Sequence, residues 1–176
     1  MADPLRLFVA VWPPDQVSAA LAALDIAPET GVRPVQPQNW HVTLRFLGSA
    51  DPGIVHDRLV DADLPRVEAA LGPAVERLGR HQLVVPTHGV DGLAARVAEV
   101  TRGLGEAARR PFRGHLTMAR TKPDAPSAAI GRPIRQRFVV HEISLVASEL
   151  TPRGAVYTTL DRYPTRAADS ERLDQE

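Results

Sequence analysis

A chain of 176 residues without cysteine excludes disulfides and thiolate metal sites, and leaves the cytosol as the expected compartment. Its 21 basic residues are balanced by 21 acids, which argues against a dedicated duplex-binding protein. With 44% hydrophobic and 24% charged residues it is expected to fold without staples as one domain or two small lobes.

The opening MADPLRLFVAVWPPDQ has an apolar run of only about eight residues, lacks a basic start and meets two prolines, so neither a signal peptide nor a membrane span is expected. LRLFVAVW (5–12) reads as a strand. PPDQVSAALAALDI then places Val17, Ala20, Leu21 and Leu24 at helical spacing behind prolines suited to a helix start. A linker, APETGVRPVQPQ, leads to HVTLRFLG, a strand in which alternation turns Val42, Leu44 and Phe46 to a core and His41, Thr43 and Arg45 the other way. DPGIVHDRLV is at most a short helix, and PRVEAALGPAVERLGRHQ fits either a helix or a strand with a Gly-Pro turn.

HQLVVPTHGV (81–90) is again a strand, and DGLAARVAEVTRGLGEAARR a helix with Leu93, Val97, Val100 and Leu104 on one stripe and Asp91 as candidate N-cap. FRGHLTMAR closes this second unit. KPDAPSAAIGRP is a loop, and RFVVHEISLVASEL with AVYTTLDRYP predicts a hairpin around TPRG in the sheet of one lobe. The polar residues after Pro164 are expected to fray, with 166–176 a disordered tail beyond a single domain of residues 1–165.

Asp15 precedes His41 by 26 residues and Asp91 precedes His115 by 24. Two strand-helix-strand units therefore each end in a His-x-Thr strand, which predicts two similar lobes facing a groove. Two such motifs with apolar neighbours among six histidines would arise by chance with a frequency of roughly 0.002, so the pair carries information. Paired imidazoles supply a general base and a general acid near neutral pH, and hydroxyls beside them can donate to the oxygens of a tetrahedral anion. In-line displacement at phosphorus requires this layout, with one proton carrier behind the entering oxygen and one behind the leaving oxygen. From Arg109 to Arg137 eight basic residues face one acid, Asp124, a local balance of 8 − 1 = +7. This run is either a solvated loop balanced by distant acids or a phosphate-attracting rim.

The motifs His41-Val42-Thr43-Leu44 and His115-Leu116-Thr117-Met118 resemble those of the two-histidine phosphoesterase superfamily. With LRLFVAVWPP, the WHVTLRFLG context, Pro-Phe-Arg-x-His and ISLVASELTPRGAVYTTLDRYP, most of residues 5–164 resembles the RNA 2′,3′-cyclic phosphodiesterases, also called 2′-5′ RNA ligase-like proteins. The resemblance implies an α+β bilobal, duplicated fold of two antiparallel β-sheets flanked by helices around a central groove. It further implies hydrolysis of RNA 2′,3′-cyclic phosphate ends to 2′-phosphates, without metal or other cofactor.

By the same resemblance His41 is the proton donor to the leaving 3′ oxygen and His115 the proton acceptor that activates water. Thr43 and Thr117 take the positions of phosphate-binding hydroxyls. Arg120 falls where similar proteins place a phosphate-contacting arginine, but strict alternation turns it away, so that role requires a bend after the motif; otherwise it forms a surface salt bridge. Phe8 and Trp40 either stack on a terminal base or belong to the core. The implied partner is an RNA terminus or a nucleotide with a 2′,3′-cyclic phosphate, met by a cytoplasmic monomer that needs no membrane.

The segment from Gly48 to His81 is short for this family, which leaves one rim of the groove open to variation. His56, His81, His88 and His141 match no family role and are read as surface or packing residues. Gly103-Leu-Gly-Glu-Ala-Ala fits a dinucleotide-binding string but lies late in a predicted helix, and no third zinc ligand accompanies the two motif histidines. Alternative functions are hydrolysis of a small cyclic phosphate or nucleotide, 2′-5′ RNA ligase activity, and non-catalytic binding of RNA ends.

Overall fold

The computed structural model describes residues 3–168. In chain order the elements are β1 (Leu5–Val11), α1 (Asp15–Ala22), β2 (Val32–Pro34), a 3-10 turn (Pro37–Asn39), β3 (Val42–Ala50), α2 (Pro52–Leu59), β4 (Val67–Leu71) and β5 (Glu76–Leu78). There follow β6 (Gln82–His88), α3 (Asp91–Val100), β7 (His115–Thr121), β8 (Gln136–Val140), β9 (Glu142–Thr151) and β10 (Gly154–Pro164).

The strands run β10-β9-β1-β3-β7-β6-β4-β8, with β2 added to β7 and β5 to β6. All pairings between these strands are antiparallel. Between β3 and β7 the sheet is joined through one residue pair, Val42 opposite Leu116. The two expected antiparallel sheets are therefore two halves of one curled path, each carrying one His-x-Thr strand beside its seam.

The helices cover one face of this path. Leu7, Val9 and Val11 of β1, Val42 and Leu44 of β3 and Leu116 of β7 share a core with Val17 and Leu21 of α1, Val55 and Leu59 of α2, and Leu93 and Val97 of α3. Each fully buried leucine among them contributes about 1.5–3 kcal/mol of transfer free energy. Helix α1 lies against β8 and α3 against β3, so the helix of each unit braces the opposite half. Among the described residues no helix is long and apolar enough to cross a membrane.

Several sequence expectations are corrected. The second helix stops at Val100 and does not continue to Arg110: Thr101 Oγ1 closes the last turn on Val97 O at 2.6 Å, and Gly103 and Gly105 follow at φ 80° and 60°. A Cβ on Gly105 would stand 2.1 Å from Leu47 O, so the glycine string serves a close approach to β3. Asp91 is the first residue of α3, with Val90 at the N-cap position and no side-chain cap. DPGIVHDRLV, by contrast, forms the short helix its sequence allowed, α2, capped by Asp51 Oδ1 accepting from Gly53 N at 2.8 Å and Ile54 N at 3.2 Å. Residues 65–82 resolve into β4 and β5 on either side of Gly72-Pro73.

RFVVHEISLVASEL is two strands, broken at His141. β8 pairs with β4 in one half, whereas β9 pairs with β1 and β10 in the other. Immediately after Pro164 the chain is held: Thr165 is buried and its Oγ1 donates to Val140 O at 2.7 Å, while Arg66 N donates to Arg166 O at 2.8 Å. The remainder of the expected tail, 169–176, lies outside the described residues.

Candidate active site

The seam pair brings the two motifs together. Antiparallel pairing at Val42 and Leu116 sets His41 toward Thr117 and Thr43 toward His115 on the face opposite the buried pair. These four side chains and Arg120 line one groove of about 810 Å³, within the range of small-ligand sites.

A bulge follows each motif. Thr43 and Arg45 pair with consecutive residues Ala10 and Val9, leaving Leu44 unmatched; Thr117 and Ala119 pair with Val84 and Leu83, leaving Met118 unmatched. The extra residue, third after each histidine, resets the alternation. Arg120 is thereby turned into the groove, by the bend its role required. Phe46, at the same offset from His41, is also turned there and is 39% exposed, against the core position expected for it. Arg45 points to the helix side, where its guanidinium donates to Ala98 O and Leu104 O, each at 3.0 Å.

Both histidines are oriented alike. His41 Nδ1 lies 2.7 Å from Asn39 O and His115 Nδ1 lies 2.7 Å from Arg113 O. A carbonyl only accepts, so each Nδ1 carries the hydrogen and each Nε2 is left for chemistry. Asn39, in the 3-10 turn, is pinned in turn by its Nδ2 donating to Ala155 O of β10 at 3.4 Å.

Their surroundings differ. Phe8 stacks on His41 at 4.8 Å, with Trp12 and Tyr157 edge-on at 5.5 and 5.3 Å. Burial in this cage lowers the His41 pKa below its ordinary 6.5; the bond to Asn39 opposes the shift, and the charges of Arg120 and His115 add to it. His115 is partly exposed and has no aromatic neighbour among the described residues. Thr117 Oγ1 donates to Gln82 Oε1 at 3.1 Å.

Of the aromatics read from sequence, Phe8 is 4% exposed and spends its face on His41, and Trp40 sits in the core. Neither presents a free ring for stacking on a base. The open ring is Phe46, with the Arg6 guanidinium 4.7 Å from its centroid. The basic run from Arg109 to Arg137 is not a rim: Arg113 pairs with Glu76 at 2.7 Å, Arg137 with Glu68 at 2.8 Å, and Arg132 donates to Asp25 O at 2.9 Å. Of that run only Arg120 lines the groove.

His81, expected to be surface or packing, lines the groove too, whereas His56 pairs with Asp161 at 2.9 Å. His88 and His141 are exposed outside it. Among the described residues no group of three or more His, Cys, Asp or Glu could hold a metal ion. Gln82, Tyr157 and Phe46 were not found from sequence. Phe46 had a signal in the shared offset of five residues from each motif histidine.

A scan against family models matches the LigT-like phosphoesterases over residues 11–79. The chain is 34% identical to the RNA 2′,3′-cyclic phosphodiesterase of Thermus thermophilus, covering 92% of this chain and 91% of that protein. It is 29% identical to the protein of the same name from Escherichia coli, covering 93% and 98%. The crystal structure of E. coli LigT complexed with 3′-AMP superposes with a TM-score of 0.77 at 25% identity, covering 93% of this chain and 99% of that one. On the fold, the motif geometry and these relationships, the chain belongs to the LigT-like phosphoesterases of the two-histidine phosphoesterase superfamily.

Proposed function

We propose that the groove hydrolyses 2′,3′-cyclic phosphate ends of RNA to 2′-phosphates by acid-base catalysis between His41 and His115. The observation that carries this reading is the matched pair of imidazoles, each with Nδ1 bonded to a backbone carbonyl at 2.7 Å and a threonine set against it across the seam. The names of its Thermus and Escherichia relatives support the substrate class.

In this reading Thr43 and Arg120 hold the non-bridging oxygens, joined by Thr117 when its hydroxyl hydrogen turns from Gln82 Oε1 to the phosphate. His115 Nε2 takes a proton from water as the water oxygen attacks phosphorus. The phosphorus–O3′ bond breaks, and His41 Nε2 gives its proton to O3′. Proton exchange with solvent then restores both rings. Burial, and after it the charges of Arg120 and His115, disfavours the charged form of His41; the bound anionic diester favours it, and once protonated the lowered pKa makes the imidazolium a strong donor.

The test is turnover of an oligonucleotide 2′,3′-cyclic phosphate in EDTA. His41→Ala and His115→Ala are each expected to lose about 10²- to 10⁴-fold in rate, and the product should be a 2′-phosphate. Retained activity in either variant, or a 3′-phosphate product, overturns the assignment. The same reading has residues 1–165 acting as one domain, without cofactor, as a cytoplasmic monomer; light scattering at 19.1 kDa tests the monomer.

A further inference from the structure

The chain as a whole is neutral, but its groove is not. Arg6, Arg33, Arg120 and Arg153 line it, and no Asp or Glu stands among its described lining residues. None of these four guanidinium groups has an ion pair among the described residues. Elsewhere arginines do find acids, as Arg80 does with Asp124 at 2.7 Å and Arg113 with Glu76 at 2.7 Å. Acids are thus available to this surface and are left out of the groove.

Two of the four stand side by side. Arg33 of β2 is the register partner of Arg120 of β7, so two like charges face each other directly across an antiparallel pair. Such a pair destabilises the sheet when nothing neutralises it. One cyclic phosphodiester carries a single negative charge, which Arg120 and the hydroxyls already meet in the proposed function. Arg33 lies one strand to the side, about 4.8 Å away at the backbone, and no acidic side chain pairs with it among the described residues.

We propose that Arg33 forms a second phosphate subsite, which takes the phosphate on the 5′ side of the terminal nucleoside. This rests on the proposed hydrolysis, because it is the cyclic phosphate at the histidines that fixes the register. With O2′ and O3′ occupied by that phosphate, O5′ is the remaining ribose hydroxyl position that bears another. The second phosphate is either the diester to a preceding nucleotide or a free 5′-phosphate, and both present the oxygen acceptors a guanidinium recognises.

The experiment compares kcat/KM on four substrates: a nucleoside 2′,3′-cyclic phosphate, its 5′-phosphorylated form, a dinucleotide ending in the cyclic phosphate, and that dinucleotide with a neutral methylphosphonate linkage. The wild type should turn over the charged dinucleotide about tenfold better than the nucleoside form, the change expected from one charge-assisted contact. The methylphosphonate should lose that gain. In Arg33→Gln the ratio between the charged and methylphosphonate dinucleotides should fall toward one, while its thermal stability holds or rises as the like-charge pair is removed. A gain with the 5′-phosphorylated nucleoside equal to that of the dinucleotide assigns the subsite to a phosphate monoester as well as a diester; a gain with the dinucleotide alone assigns it to the diester. Equal turnover of charged and methylphosphonate dinucleotides by the wild type, or a ratio unchanged in Arg33→Gln, overturns the subsite and leaves the hydrolase standing. Absence of turnover on all four overturns the hydrolase itself.

Discussion

The two halves of the groove share a backbone plan and differ in what they hang on it. At equivalent cross-strand positions, the His41 half pairs Phe8 with Phe46, and the His115 half pairs Gln82 with Arg120. Each half has the same carbonyl behind its histidine and the same bulge after its threonine. One imidazole nevertheless sits in an aromatic cage and the other in a polar, partly open setting. In the proposed mechanism the duplicated geometry supplies two proton carriers, and burial in the aromatic cage lowers the pKa of one of them, His41.

The two histidines should differ most when the reaction no longer needs one of their protons. A substrate with sulfur in place of the leaving O3′ departs as a thiolate, whose conjugate acid has a pKa of about 8.5, and needs no proton from the enzyme. His41→Ala should recover most of its 10²- to 10⁴-fold loss on that substrate, whereas His115→Ala should recover little. The reverse pattern of rates exchanges the two roles.

The aromatic cage can be thinned while both histidines stay in place. Phe8→Leu should move the His41 pKa back up toward 6.5, read from its imidazole signals in an NMR titration. The sign for stability follows from proton counts. With the folded value below the unfolded one, the unfolded chain binds more protons between the two, so the wild type loses stability as pH falls from about 6.5 through the folded value. His41→Gln should flatten that part of a denaturation profile, and an unchanged profile would show that the cage does not depress the pKa.

Helices α2 and α3 differ in their caps. Asp51 caps α2 through two backbone N–H groups, whereas α3 has no side-chain cap. Asp51→Ala should cost about 0.5–2 kcal/mol in chemical denaturation, and Asp91→Ala less. Equal losses would mean that Asp91 acts through more than its charge in the first turn of α3.

What the sequence disclosed follows from the range over which each signal acts. Periodicity located β1, β3, β6 and β7 and the start of both repeat helices, because apolar spacing is a local property. The paired motifs were legible because the same local pattern occurs twice. Phe46 was misplaced because one unmatched residue in a ladder reverses every position beyond it, and a binary pattern does not reveal which residue that is. The break at His141 was hidden because β8 and β9 are equally strand-like, and only their partners, β4 and β1, separate them. Charge misled for a related reason. The acids that neutralise Arg113 and Arg137 come from Glu76 and Glu68, and the groove arginines are gathered from β1, β2, β7 and the β9–β10 turn, so neither balance is visible along the chain.

The exchange of helices across the seam has a consequence for how such a molecule can be taken apart. With α1 resting on β8, α3 on β3, and β9 and β10 returning from the chain's end to β1, neither repeat owns the elements that cover it. A cut between the repeats should therefore yield fragments that complement each other rather than two modules that fold alone.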